Sequence, residues 1–206
     1  MNLSKTGVLL VLAVILSGAG QGMADLTIGG VDYYESGPSE TVTAVFTTPD
    51  GGVTVGTYSG LVKLTVSGTG QSLASYFNDA FYVLRASGPT HYGHYYQLAF
   101  DTQPLVPFNP ARDVKHFIFY DLDADVEVTP TYVPTYAPAH VYSFVVDTGA
   151  VVPTDLHFGV SNGMFGDNSG AFAVEVTQLQ EVPVPGAVFL GMIGLATVGL
   201  IKRKYA

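Results

Sequence analysis

The sequence contains no cysteine. That absence excludes a disulfide framework, a thiolate metal centre and a cysteine nucleophile together, so the fold must hold by packing alone. Charge is also scarce: Asp, Glu, Lys and Arg make up 12% of the 206 residues. Four of the eight basic residues, Lys5, Lys202, Arg203 and Lys204, lie at the two ends. The other four, Lys63, Arg85, Arg112 and Lys115, are set against all 17 acids between Asp25 and Glu181, a formal charge of −13 over that stretch. Such a balance argues against nucleic acid or anionic lipid as a partner, and it suits cation binding and solubility outside the cell. The Gly-x-Ser-x-Gly, His-Glu-x-x-His and Gly-rich phosphate-loop patterns are missing too, so the expectation is a non-enzymatic protein. Carboxylate pairs brought together by folding leave no trace in spacing, and a hydrolase of that kind stays open.

What the chain does have is 24 Gly, 12 Pro, 13 Tyr and 12 Phe, the composition of an all-β chain with many turns. Strands are expected at Thr41–Thr48, Val53–Tyr58, Leu61–Ser67, Ala80–Arg85, Tyr95–Phe100, Val114–Tyr120, Asp125–Thr131, Val141–Asp147, Leu156–Val160 and Gly170–Leu179. Phe172, Val174 and Val176 alternate with Ala173, Glu175 and Thr177, the pattern of a strand with one buried face. Short strands without an internal helix favour a β-sandwich, in particular a jelly roll, over residues 25–180. The Pro/Tyr-rich stretch "TPTYVPTYAPAH" is expected to cross between sheets or lie along an edge.

The two ends read differently from the body. "MNLSKTGVLLVLAVILSGAGQGMAD" has one positive charge, ten apolar residues from Gly7 to Leu16, and small residues before a cleavage point between Ala24 and Asp25. That is the three-part pattern of a signal peptide covering residues 1–24. Near the other end, Gly186 to Ile201 gives 16 residues without a charge. As a helix they would cover about 24 Å of a hydrocarbon core of about 30 Å, a marginal transmembrane span. Lys202, Arg203 and Lys204 follow it and would stay cytoplasmic, leaving the body on the far side of the membrane. Pro183 and Pro185 fix φ and lack N–H groups, so the strip ahead of the span stays extended, as a protease active site requires.

The order of parts over residues 181–206 resembles the PEP-CTERM sorting signal read by exosortases, membrane-embedded cysteine proteases of Gram-negative bacteria that make extracellular polymeric substance. The proline motif is Val182-Pro183-Val184-Pro185-Gly186, the span is short and Gly/Leu-rich, and the basic cluster follows it. Val184 stands where the usual motif has Glu, which matches the VPxPGA variant. The resemblance implies an exported protein that is anchored briefly in the inner membrane, processed by an exosortase, and delivered to the cell surface or the extracellular matrix of a biofilm.

Three stretches of the body are candidates for ligand chemistry. "GMFGDNSGAFAVEV" places Asp167 and Asn168 in a tight turn before the last strand, and oxygen-rich turns suit Ca²⁺. The turn and the stretch "FNDAFYVL" resemble segments of bacterial calcium-dependent galactose-binding lectins. That resemblance implies side-chain oxygens from Asp167 and Asn168, a main-chain carbonyl from Met164, Asn162 in place of a family aspartate, and a polysaccharide ligand. The alternative is that Asp167, Asn168 and Gly170 simply make the turn. "YDLDADVEV" spaces Asp121, Asp123, Asp125 and Glu127 by two, which on a strand puts all four on one solvated face; Val126 and Tyr132 stand where an EF-hand needs Gly and Glu. "THYGHYYQ" sets His91 and His94 among tyrosines, too few ligands for zinc but a composition that stacks on sugars.

Overall fold

The computed structural model describes residues 25–73, 76–84, 91–94, 97–107, 109–161 and 164–183. Among them there is no α-helix; the fold is all-β and antiparallel. The expected signal helix over 1–24 and the transmembrane helix over 186–201 lie outside the described residues. Among the described residues no helix is long and apolar enough to cross a membrane.

The chain divides into a large unit, Ile28–Gly30 with Glu35–Gln180, and a small unit whose described residues are 25–27, 31–34 and 181–183. The elements in chain order are β1 Leu26–Ile28, β2 Val31–Glu35, β3 Glu40–Val45, β4 Gly52–Val53, β5 Leu61–Ser67, β6 Gly70–Leu73, β7 Tyr76–Asn78, β8 Tyr82–Leu84, β9 His91–His94 and β10 Leu98–Asp101. Two 3-10 turns follow, Pro110–Arg112 and Val114–His116, and then β11 Ile118–Asp121, β12 Val126–Glu127, β13 Val141–Asp147, β14 His157–Val160 and β15 Ser169–Glu181.

The main sheet of the large unit runs β12-β11-β13-β5-β15-β6-β7-β8-β9 and curls into a half-barrel, with β3 also bonded to β15. A second sheet runs β10-β14-β4. The centre of the main sheet is where the apolar alternation is most regular. Val62, Leu64 and Val66 of β5 point inward; Leu64 lies opposite both Phe144 of β13 and Val176 of β15, and Val66 opposite Tyr142 and Val174. Phe100 and Phe158 of the second sheet join the same core as Phe46, Phe81, Phe144 and Phe172. Burying that much aromatic and branched surface, at about 25 cal/mol per Å², is what a chain without disulfides has to rely on.

Two expected strands, Leu61–Ser67 and Val141–Asp147, match their observed bounds. Of those that are shorter than expected, three are cut back for a clear local reason. Val53–Tyr58 keeps only β4 and one bridge, Tyr58 to Thr154, because the Glu40 carboxylate takes the N–H groups of Val55 and, at 2.9 Å, Gly56. Val114–Tyr120 opens as a 3-10 turn before β11 starts at Ile118. Asp125–Thr131 is reduced to β12, because residues 122–125 form the turn of a hairpin with β11.

At the β5–β6 junction both strands border β15 on one edge. The backbones meet at Gly170, where φ is +102°, and a Cβ there would sit 2.7 Å from the Gly70 Cα. Only glycine combines that dihedral with that approach.

Candidate functional site

The turn before β15 separates its two acidic-turn residues. Asp167 is exposed and has no bonding partner among the described residues, while Asn168 is buried and donates its side-chain amide to the Phe46 carbonyl at 2.9 Å. That bond ties the turn to the end of β3, beside the 4.5 Å edge-to-face contact of Phe46 with Phe172. Met164 is 73% exposed, and Asn162 lies outside the described residues. No cluster of three or more His, Cys, Asp or Glu arranged to hold a metal occurs among the described residues.

The acidic run does not line one face of a strand, and that expectation is corrected. Asp121 closes β11 and is 1% exposed; one oxygen accepts the N–H groups of Asp123 at 2.9 Å and Ala124 at 3.1 Å, and the other accepts the Tyr132 hydroxyl at 2.8 Å. Asp123 accepts the Ser143 N–H, and Asp125, at a φ of +56°, accepts the Tyr120 hydroxyl. A short polar side chain that bonds its own backbone favours a turn over a strand, and Asp121 does so here.

The same device recurs twice. Glu40 takes the N–H groups of Val55 and Gly56 and the Tyr58 hydroxyl at 3.0 Å. Burial alone would raise the Glu40 carboxyl, but these three donors outweigh it and hold the group below its ordinary value. Asp79, with no exposure at all, takes the N–H groups of Phe81 at 2.9 Å and Tyr82 at 2.7 Å on one oxygen and the Tyr142 hydroxyl at 2.7 Å on the other. Burial and the neighbouring Asp79 charge push the Tyr142 hydroxyl far up, so it remains a donor.

Asp79 differs from the other two by a fourth donor. Nδ1 of His140 lies 2.9 Å from the oxygen that Tyr142 also bonds. Four donors on two oxygens make Asp79 the acceptor, so His140 presents an Nδ1–H to it and directs Nε2 away from the acid. His140 sits at a φ of +54°, in the left-handed region that costs a non-glycine residue free energy, and a buried acid holds its ring there. The His140 side chain keeps 26% of its surface exposed.

Aromatic rings gather beside this pair. Tyr136 lies 5.9 Å from His140 and 4.4 Å from His91, the latter tilted by 35°. Tyr82 closes the group from below, 4.6 Å from His91 and 5.3 Å from Tyr136, with its hydroxyl donated to the Pro134 carbonyl at 2.6 Å. The Pro/Tyr-rich stretch thus supplies Tyr136 and His140, and β9 supplies His91. Of the candidates in "THYGHYYQ", His91 joins this group, and the side chains of Tyr92 and His94 to Tyr96 lie outside the described residues. Asp79 falls within "FNDAFYVL", but its histidine is 61 positions away, so no spacing rule links them. A second histidine, His157, is buried with Asp50 2.9 Å from one ring nitrogen and Asp155 3.5 Å from the other, which leaves it nothing to offer a ligand.

Of the sorting-motif residues, Val182 and Pro183 are described. The Val182 N–H bonds the Asp32 carbonyl at 2.7 Å, and the Asp25 N–H bonds the neighbouring Tyr33 carbonyl at 2.8 Å. Pro183 is exposed. Ala24, Val184, Pro185, Gly186, Lys202, Arg203 and Lys204 lie outside the described residues. The chain matches no family model, no curated protein and no solved structure.

Proposed function

We propose that this chain is an exported, non-enzymatic surface or extracellular-matrix protein of a biofilm-forming Gram-negative bacterium, sorted and processed by an exosortase. The observation that carries the reading is the order of parts in "VPVPGAVFLGMIGLATVGLIKRK": an extended proline strip, a short glycine-rich apolar span and a basic cluster. The backbone supports it at one point. Among the described residues Val182 is the last to donate an N–H to a strand carbonyl, and the exposed Pro183 has no N–H to add to that ladder. In this reading the span holds the protein in the inner membrane until the strip is cut, and the body then reaches the surface or matrix.

Intact mass and cell fractionation of the mature protein test the reading, comparing wild type, Pro183→Ala/Pro185→Ala and an exosortase deletion. A larger, membrane-retained product is expected in both altered backgrounds. The same mass and location in all three would overturn it.

A second reading, a calcium-dependent carbohydrate-binding module for matrix polysaccharide, is favoured by Asp167 at the turn before β15, exposed and without a bonding partner among the described residues. Thermal melting of the full chain with Ca²⁺ at 100 times its Kd should show about 2.7 kcal/mol of added stability, lost in Asp167→Ala. For the body, the finer architecture proposed is a sandwich of jelly-roll type, supported by the single core that residues of both sheets share.

A further inference from the structure

We propose that His91, Tyr136 and His140 form a binding platform for a neutral saccharide, with sugar C–H faces stacked on the rings and sugar hydroxyls bonded to the imidazole nitrogens. The proposal does not depend on the sorting reading, and it needs no calcium.

The first argument is what the three rings leave unused. Each residue is partly exposed, and the His140 side chain keeps 26% of its surface in water. The Tyr136 hydroxyl, Nε2 of His140 and both ring nitrogens of His91 have no hydrogen-bond partner among the described residues; the contacts these atoms' rings make are with one another and with Tyr82. A flat apolar surface rimmed by unspent donors and acceptors matches a pyranose, which has an apolar C–H face and a rim of hydroxyls.

The second argument is rigidity. Asp79 is locked by two backbone N–H groups and the Tyr142 hydroxyl, and through Nδ1 it fixes the position of the His140 ring. Tyr82, anchored to the Pro134 carbonyl, backs Tyr136 and His91. A platform set before the ligand arrives loses little entropy on binding. A fully buried acid holding a partly exposed imidazole at a left-handed φ is more than packing alone asks of this loop.

The third argument is charge, and it selects neutral sugars over acidic ones. Asp79 offsets any positive charge on His140. Lys63, Arg112 and Lys115 are each paired, with Glu35, Asp101 and Asp113. Uronate or sulfated polymers would therefore approach a stretch of formal charge −13 without a spare described cation to meet them.

Isothermal titration of the full-length protein with cellohexaose, laminarihexaose and β-1,4-galactotetraose, each with Ca²⁺ and with EDTA, tests the proposal, with an alginate hexamer as the acidic probe. At least one neutral oligomer is expected to bind equally in Ca²⁺ and EDTA and more tightly than alginate. Tyr136→Leu, which keeps apolar volume but removes the aromatic face, is expected to weaken binding about tenfold, or 1.4 kcal/mol. Tyr136→Phe, which keeps the ring, is expected to stay within about threefold. Asp167→Ala should leave the affinity unchanged. No binding of any neutral oligomer, loss of binding in EDTA, or equal affinity of Tyr136→Leu and wild type would each overturn the proposal. Loss in EDTA would point instead to the calcium turn.

Discussion

Glu40, Asp79 and Asp121 solve one problem in the same way. Each takes two consecutive backbone N–H groups and one tyrosine hydroxyl, from Tyr58, Tyr142 and Tyr132 respectively. A buried carboxylate is costly unless hydrogen-bonded, and bonds to a charged group contribute about 1.5–3 kcal/mol each. Asp121→Ala strands two N–H groups and a hydroxyl, so urea denaturation is expected to show a loss of more than about 3 kcal/mol; Tyr132→Phe, which removes one donor, should lose about 1.5 kcal/mol. The tyrosines make stability depend on alkaline pH. Burial first, and then the bonded acid, push the Tyr58 and Tyr132 hydroxyls up to about 12. Because the folded values exceed the unfolded 10.0, their contribution is complete below pH 10 and is lost as pH rises through about 12. Melting temperature should fall across that window, and less steeply in the Tyr58→Phe/Tyr132→Phe double variant. Glu40 acts at the other extreme: its lowered carboxyl contributes stability above 4.5 that is lost on acidification below it.

At the scale of elements, sequence periodicity was a reliable guide wherever a strand paired on both sides. β5 and β13 are paired with each other over their whole length; β5 buries every second residue, and β13 follows the same alternation at Tyr142, Phe144 and Val146 while also burying Val145. Periodicity misled where a side chain took over the backbone. No reading of Val53 to Tyr58 can anticipate a carboxylate 15 residues earlier taking the Val55 N–H. The short strands β6, β7 and β9 carry too few residues, and too many polar ones, to show a period. The site was legible only in pieces: "FNDAFYVL", "THYGHYYQ" and the Pro/Tyr stretch each stood out, but the contact of Asp79 with His140 and of His91 with Tyr136 is made by the fold. Gly170 is the element-scale feature most open to test. Gly170→Ala adds a Cβ 2.7 Å from Gly70 at a φ of +102°, so its urea midpoint should fall by the equivalent of more than about 1 kcal/mol with the m-value unchanged.

Across the whole molecule, a formal −13 over residues 25–181 is borne with few ion pairs among the described residues. Glu40 and Asp121 are held by amides and hydroxyls rather than by lysine or arginine. Neutral donors are not screened by mobile ions, whereas repulsion among surface acids is. Thermal unfolding in 0.05 M and 0.5 M NaCl should therefore show the same or a higher melting temperature at the higher salt; a fall of several degrees would mean that exposed ion pairs matter more than these bonds. The acid–tyrosine contacts then amount to tolerance of salinity: the fold can meet dilute or concentrated salt without Glu40 or Asp121 having to exchange partners.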